Sequence, residues 1–219
     1  MKRSAFLPAL VLLAACNSSV EKNTNTVADS TVQSTRPDSI PQVISTDTAT
    51  LTPVPANKLI VAGQGIGLTG IGQKSSELGA TLGKPDDGDA AMGKSLSTWY
   101  SKTNPGYKTQ VFSVIQYGEN EDQPRVKSIR VNNPFFETAT GLKAGSTWAA
   151  IEKEYPGLLL IGSYKSTAGE VKVFDDIVRG IAFEINEQDT CVGICVHTRE
   201  EKGFLQYLPF ENNFTPVEN

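Results

Sequence analysis

The sequence IVRGIAFEI at residues 177–185 decides the predicted fold, because its large apolar side chains occupy alternate positions. In an extended strand, successive side chains point to opposite faces of the sheet. Ile181, Phe183 and Ile185 therefore face one side, and Glu184 faces the other. One apolar side and one polar side are typical of an antiparallel sheet with a single buried face. We expect the three large residues to point into the core.

Further strands lie on either side of this stretch, in two groups rich in β-branched and aromatic residues. Turn sequences occur at comparable places in both groups, at Asn104-Pro105-Gly106 and Thr167-Ala168-Gly169. Each group therefore predicts an antiparallel meander. The predicted strands are 96–102, 109–117 and 125–131 in the first group, and 158–164, 171–174 and 177–185 in the second.

A short helical repeat precedes each group of strands. GQKSSELGATL at 72–82 and GSTWAAIEKEY at 145–155 align at an offset of 73 residues, with apolar residues at the seventh and eleventh positions of each. A spacing of four places such residues, Ile151 and Tyr155 for example, on one face of a helix. Both stretches therefore predict short amphipathic helices.

These elements predict an α+β fold, in which two helix-plus-antiparallel-meander repeats form a sheet with helices on one face. The C-terminal part of the chain is long enough to bury one hydrophobic core. The predicted segments are a signal peptide at 1–15, a lipidated disordered tether at 16–57 and a tandem-repeat domain at 58–219, with repeats at about 63–135 and 136–198 and a tail at 199–219.

The second repeat carries a recognisable sequence pattern. GLKAGST at 141–147 combines a Gly-apolar step with a Gly-Ser helix start, and Tyr155-Pro156-Gly157 closes the helix. The pattern resembles the SmpA/OmlA-type domain of BamE, an outer-membrane assembly lipoprotein, and the tandem repeats of β-lactamase-inhibitor-protein-like domains. The resemblance covers about residues 63–198. It implies that the chain works by binding other proteins.

The N-terminus has the features of an export signal. Lys2 and Arg3 precede a short apolar segment, and Leu-Ala-Ala at 13–15 places small residues before Cys16. This ending resembles the bacterial lipobox, which implies that the chain is cut before Cys16 and that this cysteine carries the lipid anchor. Asn17 stands where the lipoprotein pattern reserves Asp for inner-membrane retention, so the resemblance implies an outer-membrane location.

The segment that follows has the composition of a tether. Residues 17–57 contain fourteen Ser or Thr and neither glycine nor an aromatic residue. Such a segment buries too little apolar area to offset the entropy lost on ordering. We therefore expect the folded part of the chain to begin near Lys58.

Two cysteines remain beyond the lipobox. Cys191 and Cys195 enclose Val-Gly-Ile, with Gly193 at the point where a short loop must bend. In an oxidising compartment such a pair predicts a disulfide between them. Two unbonded thiols and a redox-active pair are the alternatives, although redox sites usually have two intervening residues.

Composition excludes several classes of function. The chain has 20 basic and 24 acidic side chains, and its net charge of −4 argues against nucleic-acid binding. Beyond the N-terminus, no apolar run reaches the length of about 18 residues that spans a membrane. The single histidine, His197, is too few for a multi-histidine metal site. We expect neither a metal nor a cofactor.

Two glycine-containing segments match the consensus sequences of nucleotide-binding loops. GIGLTG at 65–70 has the spacing of the dinucleotide fingerprint, and GDAAMGKS at 88–95 that of the phosphate loop. The first lacks the second parallel strand of a βαβ unit. The second precedes a predicted strand, whereas a phosphate loop must precede a helix. We therefore expect no nucleotide site.

Catalysis would require His197 to act with a nucleophile and an orienting carboxylate. Cys195 alternates onto the same side of a strand as His197, and Glu200 and Glu201 are the nearby carboxylates. Because Cys195 is expected to form a disulfide, we interpret His197 as a surface residue. We therefore expect that the chain is not an enzyme. Acidic runs are expected to be solvated turns, with weak Ca²⁺ binding as the alternative. These runs are 86–89, 119–122 and 175–176.

A sheet covered by helices on one side leaves its other face open, and aromatic and Arg side chains on that face are typical interface anchors. The candidates are Trp99, Tyr100, Tyr117 and Arg130. The first hypothesis is a lipid-anchored envelope protein that binds another protein, in envelope assembly or in inhibition of a partner. The alternative is a non-catalytic lipoprotein that binds a small molecule or a glycan on the same face.

Overall fold

The computed structural model describes residues 53–116, 118, 123–201 and 210–217. All of them belong to one unit of the chain, Ala49–Asn219. The predicted signal peptide, the predicted lipidation site Cys16 and the candidate Tyr117 lie outside the described residues, as does the predicted tether up to residue 52. Among the helices of the described ranges, none is long and apolar enough to cross a membrane.

Strands dominate the described residues, and the helices are short. Two α-helices are present, α1 at Leu78–Leu82, preceded by a 3-10 turn at Ser75–Glu77, and α2 at Trp148–Glu154. Numbered along the chain, the strands are β1 Leu59–Val61, β2 Gly65–Ile66, β3 Thr69–Gly70, β4 Asp87–Ala91, β5 Lys94–Tyr100, β6 Lys108–Val114, β7 Arg125–Val131, β8 Glu137–Thr138, β9 Leu159–Ser166, β10 Gly169–Asp176, β11 Ile181–Asn186, β12 Cys191–His197 and β13 Thr215–Pro216.

The strands form two sheets. The larger has nine strands in the order β13-β9-β10-β11-β12-β7-β6-β5-β4, and the smaller has four in the order β3-β2-β1-β8. In the larger sheet, β4 to β7 and β9 to β12 are two antiparallel meanders. Antiparallel pairing of β7 with β12, which sets Arg130 opposite Cys195, joins the meanders into one sheet.

The hairpin between β4 and β5 has a tight two-residue turn. Met92 and Gly93 have φ values of +52° and +76°. Positive φ at both central positions is the geometry of a type I′ turn, which matches the twist of the strands that it joins. Glycine adopts this conformation without steric cost. The phosphate-loop look-alike at 88–95 therefore lies on a hairpin.

The first face of the large sheet carries the main hydrophobic core. Ile129, Phe183 and Ile194 point into it from the sheet and are fully or almost fully buried. Ile60 of the small sheet and Ile151 of α2 pack against the same cluster. This face is therefore covered jointly by short helices and by the four-stranded sheet.

The opposite face carries a second hydrophobic cluster. Phe112, Tyr164 and Val173 are buried there. Phe210 and Phe214, from the C-terminal part of the chain, belong to the same cluster and are each 6% exposed. The face that was predicted to be open is therefore packed against C-terminal residues.

The predicted α+β class is wrong, because the described chain is mostly β. The helices have only five and seven residues, and they do not form a layer that covers one face of the sheet. Helix α1 has little more than one turn. It ends at Gly83, whose φ is +77°. The small sheet, whose strands are two or three residues long, provides much of the cover instead.

The predicted disulfide is also wrong. Val192 forms a bulge, because Glu184 pairs with Gly193 while Ile185 pairs with Cys191. The extra residue turns Cys191 into the first cluster and Cys195 into the second, on opposite faces. Four residues of strand span roughly 13 Å, whereas the Cα atoms of a disulfide lie within about 7 Å.

No disulfide joins the two cysteines in the structure. The Cys191 thiol donates to the carbonyl oxygen of Gly193 at 3.3 Å, and burial raises the pKa of this thiol to about 12. Both cysteines are buried and 1% exposed or less. We interpret them as core residues, because a buried thiol with a raised pKa is unreactive.

A reductant is therefore expected to leave the stability of the folded chain unchanged. Thermal unfolding followed by circular dichroism, with and without dithiothreitol, should give the same Tm, because no bond is broken. Alkylation of the denatured, unreduced protein should label Cys191 and Cys195 together. A Tm that falls on reduction, with both cysteines protected from alkylation, would contradict this assignment.

Candidate functional site

The structure separates the residues that were predicted to bind a partner. Trp99 is 9% exposed, and its indole N–H donates to the carbonyl oxygen of Gly83 at 3.1 Å. Arg130 is 5% exposed, whereas Tyr100 is 45% exposed. Tyr117 lies outside the described residues. Trp99 and Arg130 are therefore interior residues, and Tyr100 is the described candidate that a partner can reach.

Arg130 is the centre of a buried polar network on the second face. Its Nε and Nη2 atoms donate to the two carboxylate oxygens of Glu184 at 2.5 and 2.6 Å. Nη1 donates to Gln110 Oε1 at 2.7 Å and to Glu211 Oε1 at 2.8 Å. Nη2 also donates to the Tyr164 hydroxyl at 3.1 Å. These contacts use all of the guanidinium N–H donors.

The network keeps Arg130 charged and the Tyr164 hydroxyl protonated. Burial opposes the charge of Arg130, but the adjacent carboxylate of Glu184 outweighs it and holds the pKa of Arg130 well above its ordinary value. Burial and the charge of Glu184 also raise the pKa of Tyr164, so this hydroxyl stays protonated and donates to Glu184 at 2.5 Å. We interpret Arg130 as a structural residue, because its partners satisfy it completely.

A second buried pair joins β10 to β12. His197 Nε2 lies 2.9 Å from Asp175 Oδ1, and both side chains are fully buried. His197 Nδ1 lies 2.8 Å from the carbonyl oxygen of Thr198, which only accepts, so Nδ1 carries a proton. Burial opposes the charge of the ring, but the hydrogen bond and charge of Asp175 outweigh it and raise the pKa of His197.

This geometry does not provide a catalytic cysteine–histidine pair. Cys195 shares a face with His197, as the strand alternation predicted, but both ring nitrogens are engaged by Asp175 and Thr198. Cys195 and His197 are both 0% exposed. The interpretation of His197 as a surface residue is therefore wrong.

The three acidic runs have different surroundings. Asp175 and Asp176 lie within β10 and are buried, so the prediction of a solvated turn is wrong for them. The run at 86–89 extends into β4, all of whose residues are exposed. The run at 119–122 lies outside the described residues. The described ranges contain no group of three or more side chains arranged to hold a metal ion.

A surface cleft with an aromatic lining lies on the first face, beside α2. This cleft, of about 430 Å³, opens between the helix and strands β10 and β11. Two half-buried aromatic rings, Trp148 and Phe174, line it with centroids 4.3 Å apart and planes at 35°. Buried Ile185 contributes further apolar lining. The cleft therefore has an apolar wall that a ligand can reach from solvent.

Backbone contacts hold Trp148 in place. Thr147 caps α2, with its hydroxyl oxygen accepting from the backbone N–H of Ala150 at 3.4 Å. The backbone N–H of Trp148 donates to the carbonyl oxygen of Asp189 at 2.8 Å. Because Trp148 is the first residue of α2, its indole lies at the end of the helix.

Polar groups line the rest of the cleft. They include three carboxylates and one ammonium group, so the lining is acidic overall. Several are held by the protein: Ser163 donates to Glu170 at 2.8 Å, and Glu187 accepts from the backbone of Glu170 at 3.1 Å. The indole N–H of Trp148 has no hydrogen-bond partner among the described residues. The polar lining residues are Glu170, Lys172, Asn186, Glu187 and Asp189.

The sequence analysis missed this cleft, although it placed Trp148 in a helix and Phe174 in a strand. The apolar pattern of 145–155 was assigned through Ile151 and Tyr155, and Trp148 was not included in it. Trp148 lies three residues before Ile151 and seven before Tyr155, so it falls on the same helix face, and this spacing was the signal available. The contact of Trp148 with Phe174 depends on the packing of α2 against β10.

Comparisons with known proteins do not assign the chain to a family. No family model and no curated protein matches it. A cysteine-rich secretory protein from Staphylococcus aureus is similar over 74% of this chain, with 15% identity and a TM-score of 0.39, and the match spans about half of that protein, 55%. A DUF4309 family protein from Bacillus subtilis is similar over 63% of this chain and 88% of its own, with 12% identity and a TM-score of 0.41.

Replacement of Arg130 by Met is expected to lower the free energy of unfolding by about 3–5 kcal/mol, because it leaves Glu184 buried without its counterion. Urea unfolding of the purified variant measures the loss. The double variant Arg130→Met, Glu184→Leu should be more stable than Arg130→Met alone, since no charge is then stranded.

Lys127→Met is the matched control for Arg130→Met. Lys127 lies on the same strand and pairs with Glu201 at 2.8 Å nearer the surface, where such a pair contributes at most about 1 kcal/mol. Equal losses in the two single variants would show that the Arg130 network is not a main source of stability.

Proposed function

We propose that this chain is a lipid-anchored, non-catalytic binding protein of the cell envelope, and that it holds a glycan or another small polyhydroxylated molecule in the cleft beside α2. The observation that carries the proposal is the Trp148–Phe174 pair, two half-buried aromatic rings facing an acidic, solvent-accessible cleft. Among the described residues, few other large aromatic side chains are both accessible to solvent and located in a cleft.

The chemistry of the cleft suits a sugar. The C–H face of a pyranose ring is apolar and flat, so it packs on an aromatic ring, and its hydroxyl groups donate to carboxylates. Glu170, Glu187 and Asp189 offer acceptors, while Lys172 and the Trp148 indole offer donors. Aromatic walls with a few fixed polar groups are the usual composition of small-molecule sites, and a volume of about 430 Å³ is within their range.

The proposed location rests on the sequence. The lipobox-like ending at Cys16 supports a lipid anchor, and Asn17 supports the outer membrane. The predicted tether, 17–57, has 41 residues, and a random coil of that length would have a root-mean-square reach of about 35 Å. Such a reach would be enough to hold the cleft away from the lipid headgroups.

Trp148→Ala is expected to weaken glycan binding at least about tenfold, because it removes the larger ring of the aromatic wall. Screening of the full-length protein on a glycan array, followed by calorimetry with the best glycan, measures the change. Tyr100→Ala is the control, since Tyr100 is an exposed aromatic residue on another part of the sheet. Binding that survives Trp148→Ala and is lost in Tyr100→Ala would contradict the assignment.

Protein binding is the second candidate, and one observation favours it. Strand β4 lies at an end of the nine-stranded sheet, and its residues are all exposed. The outer edge of such a strand offers backbone donors and acceptors to an extended segment of a partner. The sequence resemblance to envelope assembly and inhibitor domains supports the same class of function.

A photo-reactive amino acid at Asp89, on β4, tests this candidate in intact cells. If a partner adds a strand there, we expect one adduct with a single identified envelope protein. The same amino acid at Asp189, in the cleft, is the control and should give none. Adducts at Asp189 alone, or at neither position, would exclude the edge as the binding surface.

A further inference from the structure

A second cavity, on the face of the sheet opposite the cleft, has a different chemistry. Its volume is about 500 Å³. Lys108 and Arg130 line it from adjacent strands, and Lys165 from β9. Glu211, in the C-terminal part of the chain, is the single carboxylate among the described lining residues. The lining is therefore basic, whereas the cleft beside α2 is acidic.

Lys108 and Lys165 are the cations of this cavity whose side chains have no hydrogen bond or ion pair with the described residues, and Lys108 is the partly buried one of the two. Its backbone N–H donates to Asn132 Oδ1 at 2.7 Å, but its ammonium group has no hydrogen bond or ion pair with any of the described residues. Arg130, in contrast, has all of its donors satisfied. An unpaired, partly buried ammonium is costly unless an anion approaches it.

The cavity already accommodates one carboxylate. Glu211 Oε1 lies 2.8 Å from Arg130 Nη1, and its side chain is 22% exposed. Glu211 comes from a distant part of the chain, so its carboxylate occupies this cavity much as that of a bound molecule would. The contact shows that a carboxylate fits against this wall of the cavity.

We propose that this cavity is a second ligand site, which binds a small molecule carrying a carboxylate group through the ammonium of Lys108. Ser166 and Thr167, at the turn between β9 and β10, add hydroxyl groups to the same cavity. The site is separate from the cleft beside α2, because the two lie on opposite faces of the sheet, and it goes beyond the proposed glycan binding.

The local electrostatics agree with this assignment. Burial and the neighbouring charge of Arg130 lower the pKa of Lys108, and the carboxylates of Glu211 and Glu184 only partly offset them. The charge of Arg130 therefore repels the ammonium of Lys108, although burial contributes more than this repulsion to the lower pKa. A bound anion would relieve this repulsion and raise the pKa of Lys108 again.

Calorimetric titration of the full-length protein with succinate, at an ionic strength fixed with sodium chloride, tests the proposal. Lys108→Met should weaken binding about tenfold, the loss expected for one charge-assisted hydrogen bond. Lys108→Arg should restore most of the affinity, because it retains the charge. Glu211→Gln should bind succinate more tightly than the wild type, since it removes a repelling charge.

Lys172→Met is the matched control, because Lys172 lines the cleft beside α2 and not this cavity. It should leave succinate binding unchanged, and Lys108→Met should leave glycan binding unchanged. A loss below threefold in Lys108→Met, or no succinate binding by the wild type, would overturn the proposal. Tighter binding of inorganic phosphate than of succinate would overturn the carboxylate class. Neither result would affect the assignment of the glycan cleft.

Discussion

The buried ion pair between Arg130 and Glu184 is the constraint on which the large sheet depends. Arg130 lies on β7 and Glu184 on β11, so their contact crosses β12 at the junction of the two meanders. Gly193, on β12, makes this crossing possible, because a Cβ atom there would lie 2.7 Å from a carboxylate oxygen of Glu184. Two buried charges are tolerated only with good geometry and further hydrogen bonds, which Tyr164 and Gln110 provide. The pair thus ties both meanders into a single sheet.

This arrangement decides where the protein can act. The second face is packed by Phe210 and Phe214 and by the Arg130 network, so it offers a polar cavity beside Lys108 and no open aromatic surface. The first face is covered by short elements that leave the Trp148–Phe174 cleft uncovered. The two proposed ligand sites therefore have linings of opposite charge. The cavity beside Lys108 lies on the face that was predicted to be open and includes Arg130, whereas the cleft beside α2 lies on the face that was predicted to be covered.

Local sequence patterns predicted the strands well and their surroundings poorly. Every predicted strand overlaps a strand of the large sheet, and 125–131 coincides with β7. Ile181, Phe183 and Ile185 do share the first core. Glu184 was expected in solvent but is 0% exposed. The prediction failed because alternation shows which residues share a face and does not show whether that face is covered. The short β1, β2, β3, β8 and β13 were missed, since strands of two or three residues carry no periodic signal. Strands β4 and β12 were missed as well, because their sequences were interpreted as an acidic turn and a short cysteine loop.

The sequence by itself determined six strands of the large sheet, the turn residues between them, the shared side of Cys195 and His197, and the expectation of a lipid anchor, because each depends on neighbouring residues alone. Tertiary structure decided the rest. A single bulge at Val192 placed the two cysteines on opposite faces, which no count of spacing reveals. Partners such as Asp175 for His197, Glu184 for Arg130 and Phe174 for Trp148 are 22, 54 and 26 residues apart in the chain. Contacts at such separations arise from strand order and packing, and these are properties of the whole sheet.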